Sequence, residues 1–133
     1  MSKTTHVSGT RKQARARATV IPGKGTVRIN QRLLDTLQPK VLRLKIQEPL
    51  ILAGDLSKKV DIKVTVNGGG SQGQAEAARL AIARGLVKFS GSKTLRKDFL
   101  NYDRHLVIAD VRRNEPHKPN DSKPRAKRQK SYR

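Results

Sequence analysis

The chain has 133 residues, with 30 Lys and Arg against 10 Asp and Glu, and a formal net charge of +20. That length leaves room for one domain, and such a field cannot be neutralised internally, so it attracts a polyanion. No stretch nears the roughly 20 apolar residues of a bilayer span and no signal peptide opens the chain, so nucleic acid, not membrane, is the expected partner. The absence of cysteine rules out disulfides and Cys-ligated metals.

Residues 1–17 carry Lys3, Arg11, Lys12, Arg15 and Arg17 and no acid, which reads as a basic N-terminal arm. Residues 18–111 hold 31 of the 33 Val, Ile, Leu, Met and Phe residues and form the expected globule. Within it, residues 17–21 and 26–29 read as a hairpin around "PGKG". Asn30 is placed to cap a short helix over 31–37. Residues 39–54 are ambiguous. Leu42, Leu44 and Ile46 alternate like a strand, but Pro39 suits a helix start; helix is preferred, with a break or kink expected at Glu48–Pro49. Residues 61–67 are the clearest strand, and 71–89 the clearest helix, with Ala75, Ala78, Ile82 and Leu86 in one stripe. A further helix is expected over 92–101 and a last strand over 105–111.

Residues 112–133 carry nine bases against Glu115 and Asp121, three prolines, and no Val, Ile, Leu, Met or Phe. Only the middle of the chain can offset its conformational entropy by burial, so both basic ends are expected to order on a partner. The fold class is α+β, a mixed sheet with helices packed on one face.

Gly68, Gly70 and Gly73 stand at the G-x-G-x-x-G spacing of a dinucleotide fingerprint, between strand and helix. That fingerprint also needs a second parallel strand and an acid about 20 residues on, and neither is present. A phosphate loop would need Lys-Ser/Thr where Gln74-Ala75 stands. The glycines are therefore read as a tight turn that also exposes helix N–H groups to any phosphate, including one on RNA. Gly70→Ala is expected to strain the turn if Gly70 has positive φ. His6, His105 and His117 are scattered, with no acids spaced to complete a metal site. Asp98 and Asp103 read as caps or ion-pair partners of nearby arginines, and catalysis is not expected.

"GGGSQGQAEAARLAIARGL" (68–86) resembles the signature of the ninth small-subunit ribosomal protein family, the sixteenth in eukaryotic naming. "GTVRIN", "QEPLILAGDLSKKVDIKVTV", "YDRHLVIADVRRNEPHKP" and the terminal "RQKSYR" extend the resemblance, the last two in the archaeal and eukaryotic manner. Gly85-Leu86 stands where many members have Ala-Leu. The resemblance implies a fold like the second domain of ribosomal protein S-five and a seat on ribosomal RNA in the head of the small subunit of the cytoplasmic ribosome. It also implies neighbouring head proteins as partners, no cofactor, no independent homo-oligomer, and a tail reaching the anticodon stem-loop of the peptidyl-site tRNA.

The candidate rRNA-binding residues are Arg11, Lys12, Arg15, Arg17, Lys24, Gly69, Gly70, Gln72, Arg79, Arg112, Arg113, Lys118, Arg125, Lys127 and Arg128. By the resemblance, Lys130, Ser131, Tyr132 and Arg133 are the tRNA-binding tip, where Tyr132 is equally suited to stacking and to phosphate hydrogen bonding. A DNA- or RNA-compacting architectural protein is the alternative reading; it shares the charge and the arms, but the apolar wedges typical of that class are missing.

Overall fold

The computed structural model describes residues 3–120, 123–126 and 132. Its architecture follows from one strand, β5 (Val60–Asn67), whose alternate residues Val60, Ile62, Val64 and Val66 are buried while Lys63, Thr65 and Asn67 face out. Around it lie β1 (Thr5–Arg11), β2 (Ala14–Pro22), β3 (Val27–Ile29) and β4 (Arg32–Leu33), in the order β1-β2-β5-β3-β4. β5 pairs antiparallel with β2 and parallel with β3. Three helices follow from the chain's apolar stripes: α1 (Lys40–Ala53), α2 (Ser71–Ser90) and α3 (Lys93–Tyr102). This is the expected α+β fold with a mixed sheet and helices on one face.

The helix-side packing is unusually close because both surfaces are lined with small residues. Ala14, Ala16 and Ala18 of β2 are buried beneath α2, which presents Ala77, Ala78, Ala81 and Gly85. A Cβ on Gly9 of β1 would stand 2.5 Å from the Ala77 carbonyl oxygen and 2.8 Å from the Ala81 nitrogen. One on Gly85 would stand 2.7 Å from Val20 Cγ2. The glycine that replaces the common alanine of the signature therefore makes room for Val20. Larger side chains close the far end of the core, where Phe99, Leu86, Ile46 and Leu106 are buried; each contributes roughly 1.5–3 kcal/mol by leaving water.

β1 is an edge strand, and its free edge is occupied by α2. Arg84 Nη1 donates to the Ser8 carbonyl at 3.1 Å and Lys88 Nζ to the His6 carbonyl at 3.3 Å. Arg84 Nε also donates to the Val107 carbonyl at 2.8 Å, tying the segment after α3 to the same edge. Those side-chain donors satisfy carbonyls that would otherwise offer a pairing template.

Four sequence expectations need correction. The N-terminal stretch is not a free arm: β1 and the start of β2 form an antiparallel hairpin, with Ala14 and Ala16 at 0% and 1% exposure. Alanine and glycine supply the burial there, so a search for large apolar side chains passes over it. Residues 17–21 and 26–29 do not pair with each other, because β5 lies between β2 and β3. Asn30 caps no helix. Asn30 and Gln31 have φ of 48° and 71° and form the two-residue turn from β3 to β4, while the Asn30 side chain bonds both the N–H and the carbonyl of Val66. Residues 105–111 are not a strand either; a 3-10 turn at Arg104–Leu106 leads into irregular chain. The ambiguous stretch is helical, and α1 runs through Pro49, which is buried and forgoes one backbone bond.

Candidate nucleic-acid interface

The glycine turn before α2 answers to backbone geometry. Gly68 and Gly69 have φ of 76° and 64°, a region that favours glycine. A Cβ on Gly68 would lie 2.6 Å from the Gln13 carbonyl oxygen, and one on Gly69 2.9 Å from the Ala14 nitrogen. The turn thus seats the start of α2 against the β1–β2 turn. Gly70, by contrast, has φ of −99° with open space around it, so the strain expected for Gly70→Ala belongs to Gly69 instead. Gln74 Nε2 donates to the Gly68 carbonyl at 3.1 Å. Gly70 is the N-cap and offers no side-chain cap, and Ser71 and Gln72 are exposed beside it.

The charged residues separate into two groups. The first is an ion-pair cluster on the helix side, where Arg11 Nε meets Glu76 Oε2 at 2.6 Å and Arg11 Nη2 meets Asp110 Oδ2 at 3.6 Å. Lys45 Nζ is 3.3 Å from Glu76 Oε1. Arg79, in the middle of α2, is ion-paired with Glu48 of α1 and donates, at 3.0 Å, to Asp103 after α3. Asp110 accepts from both the N–H and the guanidinium of Arg112, with Nη2 at 2.7 Å. These contacts fasten three helical segments and the root of the tail to β1.

The cluster shifts its carboxyls in one direction. Burial pushes Glu76 up, but hydrogen bonds from Arg11 and Lys45 outweigh it and hold the group below its usual range. Burial likewise raises Asp103, and the His105 N–H and Arg79 more than reverse it. The Arg112 side chain and N–H hold Asp110 well below the usual carboxylate range. Asp103 thus caps and pairs as expected, whereas Asp98 is exposed and makes no ion pair among the described residues.

Arg11 and Arg79 of the sequence-derived set are therefore engaged inside the molecule, Arg112 is paired with Asp110 while its side chain stays 75% exposed, and Arg113 Nη1 donates to the Asp110 and Arg112 carbonyls. The second group is exposed. Lys12 sits on the β1–β2 turn with φ of 53°, and Lys24 on the loop between β2 and β3. Arg15 and Arg17 project from the sheet face opposite the helices. Two cations that the sequence reading passed over, Arg28 of β3 and Lys63 of β5, stand on that same face; their outward positions in the period-2 pattern were the available signal. From Val111, 87% exposed, through Asn120 every residue is exposed. Lys118 lies in that stretch, and Arg125 pairs with Glu115 at 2.6 Å on the surface. Tyr132 is 89% exposed. Lys127, Arg128, Lys130, Ser131 and Arg133 lie outside the described residues. Among the described residues no helix is long and apolar enough to cross a membrane.

Comparison with known proteins agrees with the signature around α2. The profile of the family described as Ribosomal protein S9/S16 matches residues 9–133. The chain is 47% identical to the small ribosomal subunit protein uS9 of Methanococcus vannielii over 133 residues, which covers 98% of this chain and 99% of the relative. The same identity and coverage hold for uS9 of Methanococcus maripaludis. A match of this extent reaches from β1 to the end of the tail, and on it the chain belongs to the ribosomal protein S9/S16 family.

Proposed function

We propose that this structural, non-enzymatic protein of the small ribosomal subunit is seated on ribosomal RNA of the subunit head, and that its tail extends to the anticodon stem-loop of the peptidyl-site tRNA. The observation that carries the reading is the division of its charge. The ten acids are too few for thirty bases; a few cations are paired within the fold, and among the described residues many others are exposed on the sheet, the helices, the turns and the tail. Exposed cations without internal partners neutralise phosphates and release counterions, which favours binding most at low salt. The exposed stretch 111–120 has no apolar face to bury on the globule, so its order comes from the RNA it meets.

Co-sedimentation with small subunits in high salt tests the seat. Retention is expected, whereas a protein that washes off and follows DNA is an architectural polyanion binder instead. The tip is tested separately by deleting residues 131–133. That deletion removes one cation and two hydroxyl groups, so rRNA binding stays near wild type while tRNA dissociates faster from the peptidyl site of purified subunits. Unchanged tRNA dissociation, with the protein confirmed in the subunit, limits the tail to rRNA contacts.

A further inference from the structure

We propose that the bare face of the sheet is a docking platform for an RNA phosphodiester backbone, with Arg15, Arg17, Arg28 and Lys63 as its phosphate contacts. The inference rests on the rRNA-binding reading above and extends it from the turns and tail to a rigid surface of the globule.

Three observations single this face out. The first is that its cations do nothing for the fold. Arg15, Arg17, Arg28 and Lys63 are exposed, and among the described residues none of them makes an ion pair or a side-chain hydrogen bond. Lys63 even stands directly across from Arg28 in the parallel β5–β3 pair, and like charges so placed are destabilising. On the helix side, by contrast, Arg11, Arg79 and Arg84 each bind internal acceptors. A folded chain gains nothing from four unpaired cations on one face; a polyanion laid across them does.

The second observation is what lies between the cations. Across the strands Arg15 is flanked by Thr10 and Asn67, Arg17 by Ser8 and Thr65, and Lys63 by Thr19 on its other side. Hydroxyls and amides interleaved with Arg and Lys form the donor set that contacts phosphate oxygens and ribose hydroxyls. Arg15 and Arg17 are two residues apart on one strand, about 7 Å, a step that suits successive phosphates of a single RNA strand.

The third observation is what the face lacks. Its one acid, Asp61, sits at the rim, and its Oδ1 already accepts from the N–H groups of Lys24 and Thr26 at 2.9 Å each. No Phe, Tyr or Trp stands on β1, β2, β3, β4 or β5, and the one ring on this face, His6, is hydrogen-bonded to Thr19 at 3.1 Å. Without a Phe, Tyr or Trp platform for stacked bases, the face is suited to recognition of the backbone, insensitive to sequence. Large apolar side chains are confined to its margins at Ile21 and Leu33, too few for an apolar protein interface.

The test uses the full chain and an in vitro transcript of the head domain of small-subunit rRNA, with binding measured against salt concentration. One variant carries Arg15→Gln, Arg17→Gln, Arg28→Gln and Lys63→Gln. A control removes the same charge from the helix side through Lys40→Gln, Lys93→Gln, Arg96→Gln and Lys97→Gln. Circular dichroism verifies the fold, and a charge-keeping variant (Arg15→Lys, Arg17→Lys, Arg28→Lys, Lys63→Arg) retains the salt dependence.

The sheet variant is expected to lose roughly 3 units of log–log salt slope and the control less than about 1. Equal losses in the two would mean that the face contributes only bulk charge, and would overturn the inference. A wild-type slope in the sheet variant also overturns it; if that variant fails to bind an acidic segment of a neighbouring subunit protein, the face belongs to a protein partner. Absence of any salt-dependent binding by the wild-type chain would instead sink the underlying rRNA reading.

Discussion

The two ends of this chain have similar basic composition and opposite fates. Residues 5–17 are built into the sheet, whereas described residues 111–120 lie wholly exposed. Charge density does not separate them. What does is the spacing of small residues: Gly9, Ala14, Ala16 and Ala18 recur on the inward face and fit beneath an α2 surface that is itself Ala- and Gly-rich. The tail, residues 112–133, has Pro116, Pro119 and Pro124 and no Val, Ile, Leu, Met or Phe with which to build an inward face. A basic segment can thus be structural if its alternate residues are small enough to let a helix come close. Its cations then become a fixed array and stop being a floating arm.

The comparison can be broken most severely at Gly9. In Gly9→Val the side chain has no room between β1 and α2, and stability in urea unfolding is expected to fall by about 3 kcal/mol or more. Arg11 sharpens it next. Its side chain is 14% exposed and its guanidinium serves both Glu76 and Asp110, so Arg11→Gln is expected to cost about 2 kcal/mol. Gly69→Ala follows, at about 1–2 kcal/mol because φ is positive and the Ala14 nitrogen is close, whereas Gly70→Ala stays within about 0.5 kcal/mol. At the tail, deletion of residues 123–133 is expected to leave the urea midpoint unmoved, although it removes Lys123, Arg125, Lys127, Arg128, Lys130 and Arg133. In RNA binding that same deletion should lower the salt slope by roughly 3.5 to 4.5 units. A segment with no role in the fold would then carry a large share of the electrostatic binding.

Acid sharpens the comparison in another way. Glu76, Asp103 and Asp110 are held below their usual ranges in the folded protein, so folding favours their ionised forms. The stability they confer is complete above about pH 5 and is lost as pH falls through the unfolded values and on towards the lower folded ones. Arg11→Gln is expected to flatten that decline in an acid titration of urea stability.

The most legible parts of the sequence were those with large side chains in regular patterns. The alternation of Ile62, Val64 and Val66 and the Ala75–Leu86 stripe place β5 and α2 to within a residue or so of their observed bounds. The "PGKG" turn was read as a reversal, which it is, but turn chemistry does not say which strand lies beside which, and β5 inserts between β2 and β3. Asn30 carried a signal common to helix caps and left-handed turns, and the tertiary bond to Val66 decided between them. Of the candidate site residues, Arg11 and Arg79 read as solvent-facing cations because an ion pair between distant segments leaves no trace in local sequence, whereas Asp110, the partner of Arg112, stands only two residues away from it. Arg28 and Lys63 were missed for a related reason. Each is an isolated base in its own segment, and only the register of the sheet brings them beside Arg15 and Arg17.

The central claim, that one basic end is sheet and the other is chain awaiting RNA, is tested most directly by backbone amide hydrogen exchange on the free protein and on its complex with head-domain rRNA. The account predicts that cross-strand amides of the β1–β2 hairpin exchange in the free protein only as slowly as global unfolding allows. It predicts that amides of 113–117 exchange freely until RNA is added and are then protected. A hairpin that exchanges as fast as the tail, or a tail protected without RNA, would contradict it.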